Sequence, residues 1–172
     1  MLRFLFVTLL VVFTSLSHTQ NTSSIDFIIK NLGVNVDGHF NTFDIDAEFN
    51  TASELLSISG KITVSSIKTG IESRDEHLLK EDYFDVENHE FITLNSTSIS
   101  KESDSEYSVD AILTIKGKTK EITIPVTVLN VNNKHKIMAS FEINRRDFDV
   151  GGGSLIMSKN VKIKVTHSQD IE

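Results

Sequence analysis

Arg74-Asp75-Glu76-His77 places a guanidinium, two carboxylates and an imidazole in four consecutive residues. Such a set invites metal binding or general acid–base work. Adjacent helical residues point in different directions, however, so these four cannot converge on one atom. The remaining histidines, His18, His39, His89, His135 and His167, have no metal-ligand spacing, and nothing names a metal or a cofactor. Asp44, Asp46 and Glu48 look like calcium ligands at first. They alternate with Phe43, Ile45 and Ala47 and lack the glycine turn of a calcium loop, so they read as a solvated strand face. No Lys-Ser/Thr pair or helix start follows Gly151-Gly152-Gly153, which argues against a phosphate cradle. That tract reads as a loop, or as small residues where a strand or ligand comes close. No Ser/His/Asp arrangement emerges from spacing, and the chain reads as noncatalytic.

The aromatic residues carry a different chemistry. Phe27, Phe40, Phe43, Phe49, Phe84, Phe91, Phe141 and Phe148 follow the first 17 residues, with no tryptophan anywhere. Most fall on the apolar parity of alternating segments and therefore point inward. A small barrel either packs such residues solid or keeps room for one ligand, and periodicity alone leaves both open.

The elements that must hold these residues are strands. Period-two alternation runs through Leu56–Val64, Tyr107–Ile115, Ile122–Val128, Ile137–Ile143 and Val161–Val165. A helical period of 3.6 would scatter the same residues around an axis. Val36, Gly38 and Phe40 share one parity, while Phe43, Ile45, Ala47 and Phe49 share the other. A single slip at Asn41-Thr42, of the kind a β-bulge makes, restores one apolar face. Two strands joined by a turn there is the alternative. Lys116-Gly117-Lys118, Asn130–Lys134 and Ser100–Glu106 read as connections between consecutive antiparallel strands. About eight strands follow, in a closed barrel or a sandwich. One helix is expected over Ser73–Lys80, with Ser73 and Glu76 as a capping box.

Composition narrows the function classes. The chain carries a formal charge of −7 with no cysteine. That charge disfavours nucleic acid as a partner, and disulfide or thiolate–metal chemistry is excluded. Residues 1–17 read as a cleaved secretory signal peptide, with Arg3 before an apolar run and Ser15 and Ser17 near its end. The run is too short for a stable membrane span. Residues 18–172 are then one exported domain, periplasmic or secreted. Monomer and homodimer both remain open.

Three segments in fixed order carry a family likeness. SSIKTGIESRDEHLLKEDYFDVENHEFITL (Ser65–Leu94) is followed by KGKTKEITIP (Lys116–Pro125) and INRRDFDVGG (Ile143–Gly152). Together they resemble the YceI-like family, secreted lipocalin-like barrels that bind polyisoprenoid lipids. The likeness covers roughly Ser24–Val165. It implies an all-β, antiparallel lipocalin-like barrel with the short helix near one end. It also implies an isoprenoid-type apolar ligand, such as a quinone or polyprenyl lipid, for carriage, sequestration or storage. Phe27, Ile29, Phe40, Phe43, Ile62, Leu113, Ile115, Ile124 and Phe141 are the expected binding wall, with Tyr83, Phe84 and Phe148 nearer the ends. Arg74, Asp75, His77 and Leu78 match a family hallmark for which the resemblance implies a structural role, with gating of the pore the alternative for Arg74 and Asp75. The chain departs from many relatives at Glu90, where they have proline, and at Asp110-Ala111, where they have glycine. A packed structural or interaction barrel is the second reading, and an enzyme without a recognisable motif the third.

Overall fold

The structure, a computed structural model, describes residues 23–171; the leader expected over residues 1–17 lies outside them. Ten strand segments form one antiparallel sheet: β1 (Ser24–Asn31), β2 (Val34–Phe40), β3 (Phe43–Phe49), β4 (Leu55–Thr63), β5 (Ile67–Lys68), β6 (Phe91–Lys101), β7 (Glu106–Ile115), β8 (Lys118–Val131), β9 (Lys134–Asn144) and β10 (Met157–Asp170). Their order is β3-β4-β6-β7-β8-β9-β10-β1-β2-β5. The order is longer than the eight expected strands because two strands are broken mid-length. Phe40 of β2 pairs with Ile67 of β5, and Phe43 of β3 pairs with Ile62 of β4. Between them Asn41 N donates to Ser66 O (3.2 Å) and Thr63 N to Thr42 O (3.0 Å). β2 and β3 are therefore one run, bent at Asn41-Thr42, where parity slips without chain reversal. The facing run β4–β5 is interrupted by the 3₁₀ turn Val64–Ser66. Because the two ends of the sheet order belong to these paired runs, the sheet curls back on itself as a barrel. Gln169 Nε2, donating to Ala47 O at 2.9 Å, adds a tie from β10 to β3.

Turn chemistry sets the register. Leu32-Gly33, Lys116-Gly117 and Asn132-Asn133 are two-residue connections with positive φ at both positions. That is the type I′ geometry whose twist matches the flanking strands. The connection between β6 and β7 is shorter than expected, since Ser100 and Lys101 still pair with Ser108 and Tyr107.

The helix differs from its expectation. α1 spans Glu72–Leu78, its N-cap is Ile71, and no side chain caps it. Ser73 lies inside the helix, so the capping box of Ser73 and Glu76 does not form. Gly70, at φ 84°, turns the chain so that the N-cap falls at Ile71, two residues before Ser73. α1 and the loop after it cover the same barrel end as the 3₁₀ turn Arg145–Phe148. The buried interior splits into two groups. One, around Ile67, Ile115, Phe148 and Val150, lies under this cap; the other, around Tyr107, Val109, Val128 and Ile137, fills the opposite end.

Candidate functional site

Between those two groups runs a cavity of about 240 Å³. A single water needs roughly 10–15 Å³ of such space, so this is a channel and not a packing defect. Its walls come from the inward parity of nearly every strand, including Phe27 and Ile29 of β1, Ile58 and Ile62 of β4, Leu113 of β7, Ile124 of β8, Phe141 of β9 and Val165 of β10. Phe27, Phe141, Ile163 and Val165 point into the barrel yet are only half-buried. Inward aliphatic and aromatic groups keep exposure only where they border empty space, which is the signature of a void. Phe27 also covers Gly38, its pairing partner on β2. A Cβ at Gly38 would stand 2.2 Å from the ring, so this glycine is what lets Phe27 lie flat on the wall.

The polar groups in this lining are few and sit towards its ends. Arg145 is 3% exposed and, among the described residues, in no ion pair. Its Nε donates to Ser158 O (2.8 Å), its Nη1 to Val150 O (2.6 Å) and Gly152 O (2.9 Å), and its Nη2 to Met157 O (3.2 Å). Burial, and secondarily the charge of Arg146, hold its pKa below the usual arginine range. Carbonyl dipoles compensate the cation, so Arg145 stitches the loop before β10 over the channel end. Asn31 faces Met157 across β1 and β10, and its Oδ1 is buried with no hydrogen-bond partner. Towards the other end His167 lines the channel, with Nδ1 2.9 Å from Ser23 Oγ. Burial lowers its pKa, opposed by Gln169, Asp44 and Asp46.

Arg74 and Asp75 do converge, on a residue the sequence reading passed over. Thr69 N donates to Asp75 Oδ1 (2.8 Å), and Thr69 Oγ1 donates to the same oxygen. Arg74 donates from Nε to Thr69 Oγ1 (2.7 Å) and from Nη2 to Thr69 O (2.6 Å). Asp75 is 6% exposed, so its charge is matched by these donors and by Lys68 Nζ at 3.9 Å. The clasp ties α1 to β5 and presents Arg74 to the channel. Leu78 lines the channel, whereas His77 is exposed, edge-on to Tyr83 at 5.0 Å and 3.8 Å from Asp82.

Of the expected binding wall, Phe27, Ile29, Phe40, Ile62, Leu113, Ile115, Ile124 and Phe141 border the channel, as do Phe84 and Phe148 of the cap. Phe43 and Tyr83 do not; they pack against the core from outside the lining. Arg145, Asn31 and His167 were missed as channel residues. Each extends an apolar parity by one step, Arg145 after Ile143, Asn31 after Ile29 and His167 after Val165, and that continuation was the available signal. Asp44, Asp46 and Glu48 are exposed on the outer face.

Known proteins of similar fold, some of them similar in sequence, place this arrangement. BcnA of Burkholderia cenocepacia is 27% identical, with a TM-score of 0.80 over 86% of this chain and 96% of its own. A polyisoprenoid binding domain from Saccharophagus degradans, implicated in plant cell wall breakdown, is 16% identical with a TM-score of 0.69 and shares the fold. A UPF0312 protein of Staphylococcus epidermidis is 31% identical over 175 residues, covering 92% of this chain and 99% of that relative. The YceI-like domain model matches residues 17–168, and the chain belongs to that family.

Proposed function

We propose that this protein is an exported, noncatalytic carrier that holds a long isoprenoid-type lipid, a quinone or polyprenyl chain, along the barrel channel. The observation that carries this reading is the apolar cavity itself, bordered by half-buried inward side chains. Burial stabilises at roughly 25 cal/mol per Å² of apolar surface, so a long hydrocarbon needs few polar contacts to bind well. The Saccharophagus degradans domain of the same fold is described as polyisoprenoid binding, which agrees with that ligand class. The leader pattern of residues 1–17 supports export to a periplasmic or extracellular space. A packed interaction barrel is disfavoured by the void. One contact favours a hydrolase, Ser23 Oγ against His167 Nδ1, but the hydrogen-bonding group beside His167 is the Gln169 amide and not a carboxylate.

Native mass spectrometry of protein recovered from cells, before and after organic extraction, tests the carrier reading. A lipid adduct lost on extraction and restored by a polyprenol or quinone is expected. Protein that carries none and gains none from either refutes it. A fluorophosphonate probe tests the hydrolase reading, and Ser23 is expected to stay unlabelled.

A further inference from the structure

The turn between β1 and β2 and the loop before β10 meet at the capped end of the barrel. Leu32 N donates to Ile156 O at 2.9 Å, which holds the two together. Their side chains include the three most exposed large hydrophobics described: Leu155 is 99% exposed, Leu32 72% and Val34 67%, with Ile156 at 56% beside them. Four such groups on two adjoining tips cannot be put down to scattered surface leucines. The patch adjoins the channel, since Asn31 and Met157, the neighbours of Leu32 and Ile156, both line it. Its collar is basic, although the chain as a whole is at −7. Lys30 and Lys159 are exposed and, among the described residues, in no ion pair. Arg146 anchors one tip by donating to Ser154 O at 2.8 Å. Of the acids at this end, Asp37 and Glu142 lie lower on the barrel wall, opposite Ile28 and Lys162, Asp147 is engaged by Asn144 Nδ2 at 3.1 Å, Asp149 pairs with Lys118 at 3.2 Å, and Asp82, whose carbonyl accepts from Gly151 N at 2.9 Å, stands 3.8 Å from His77.

We infer that this tip docks the barrel on an anionic lipid bilayer, with the leucine and isoleucine side chains entering the headgroup layer. The lysines would meet the lipid phosphates, and the channel end would sit over the membrane. Charge complementarity selects this occupant: an apolar protein groove would not call for the basic collar, whereas an anionic bilayer surface offers both chemistries. The surface is inferred from the outside of the barrel and does not depend on which cargo fills it.

Sedimentation with phosphatidylcholine vesicles, with and without phosphatidylglycerol, tests the inference on lipid-free protein recovered from cells. Binding is expected to the phosphatidylglycerol vesicles and to weaken as salt is raised. Leu32→Asn with Leu155→Ser should lower it at least about tenfold. Lys30→Gln with Lys159→Gln should lower it by an order of magnitude or more on phosphatidylglycerol vesicles alone, at about fivefold per lysine. All four positions are exposed, so the melting curve and polyprenol uptake should stay as in the parent, which separates this surface from the cargo site. No binding by the parent, or equal binding by the leucine variant, overturns the inference. So does a parent dimer that the leucine variant dissociates while vesicle binding stays the same.

Discussion

Filling the channel from its own wall should separate a carrier from a packed barrel, because the two predict opposite signs. Ala139 is the position to use. It points inward from β9 between Val126 of β8 and Val165 of β10, and it borders the void at mid-barrel. Ala139→Phe adds a phenyl ring to a space of about 240 Å³. The ring occupies roughly the room of one isoprene unit, five carbons at about 0.8 kcal/mol each, or about 4 kcal/mol of lost ligand burial. Sliding of the chain recovers part of that, leaving an affinity loss of about 10²–10³-fold. Stability should move the other way. In lipid-free protein the ring enters empty apolar space and gains contacts, so the variant should be neutral to about 1 kcal/mol more stable. In a filled core the same substitution would overpack and cost about 1–3 kcal/mol. Urea denaturation of extracted protein and polyprenol titration by native mass spectrometry read the two quantities separately. A clear loss of stability in the lipid-free variant would refute the void. Unchanged affinity with unchanged stability would place the lipid elsewhere.

Other positions test the parts that hold the channel in shape. Asp75→Ala should cost about 1–3 kcal/mol in chemical denaturation, because it strands the Thr69 amide and hydroxyl, while binding per folded molecule stays near the parent value; lost binding at unchanged stability would move Asp75 into the site. Gly38→Ala forces the Phe27 ring off its seat and should cost about 1–3 kcal/mol, and Phe27→Leu in the same chain should recover part of it if that ring is the obstacle. His135 is 3% exposed, its ring stacked on Phe49 at 3.7 Å, and burial lowers its pKa below the ordinary value near 6.5. Between that lowered value and about 6.5 the unfolded chain binds a proton that the folded chain refuses, so stability falls as pH drops below about 6.5. His135→Phe should flatten part of this slope in melts from pH 7 to 5, leaving the share of His167; an identical slope would show that His135 contributes none of it.

The barrel was legible because its information is local. Alternation assigns each strand its inward set without knowledge of the partner strand, and the parity change between Phe40 and Phe43 marked the bend before any pairing was known. The helix entry was less legible. Ser73 and Glu76 satisfy the capping pattern, but Gly70 turns the chain early and the Asp75 carboxylate reaches from within the helix to Thr69, a competition between side-chain contacts that pattern does not contain. The void was not legible at all, since a hollow barrel and a filled one have the same period. What separates them is whether side chains from opposite walls meet, a property of barrel radius and not of any one strand.

The polar residues of the lining take this one step further. Asn31, Arg145 and His167 continue the inward parities of β1, β9 and β10 just where those apolar runs stop. Asn31 and Arg145 lie by Met157 at the capped end, while His167, paired with Ile137, lies towards the other. The channel is thus apolar along its middle and polar at both ends. Asn31 Oδ1 has no hydrogen-bond partner on the protein and borders the channel, so it is free to accept from a group inside it. A pure hydrocarbon would leave the acceptor unpartnered in the bound state as well. A ligand with a hydrogen-bonding terminus would offer it a donor there, whereas the middle of the lining offers only apolar contact.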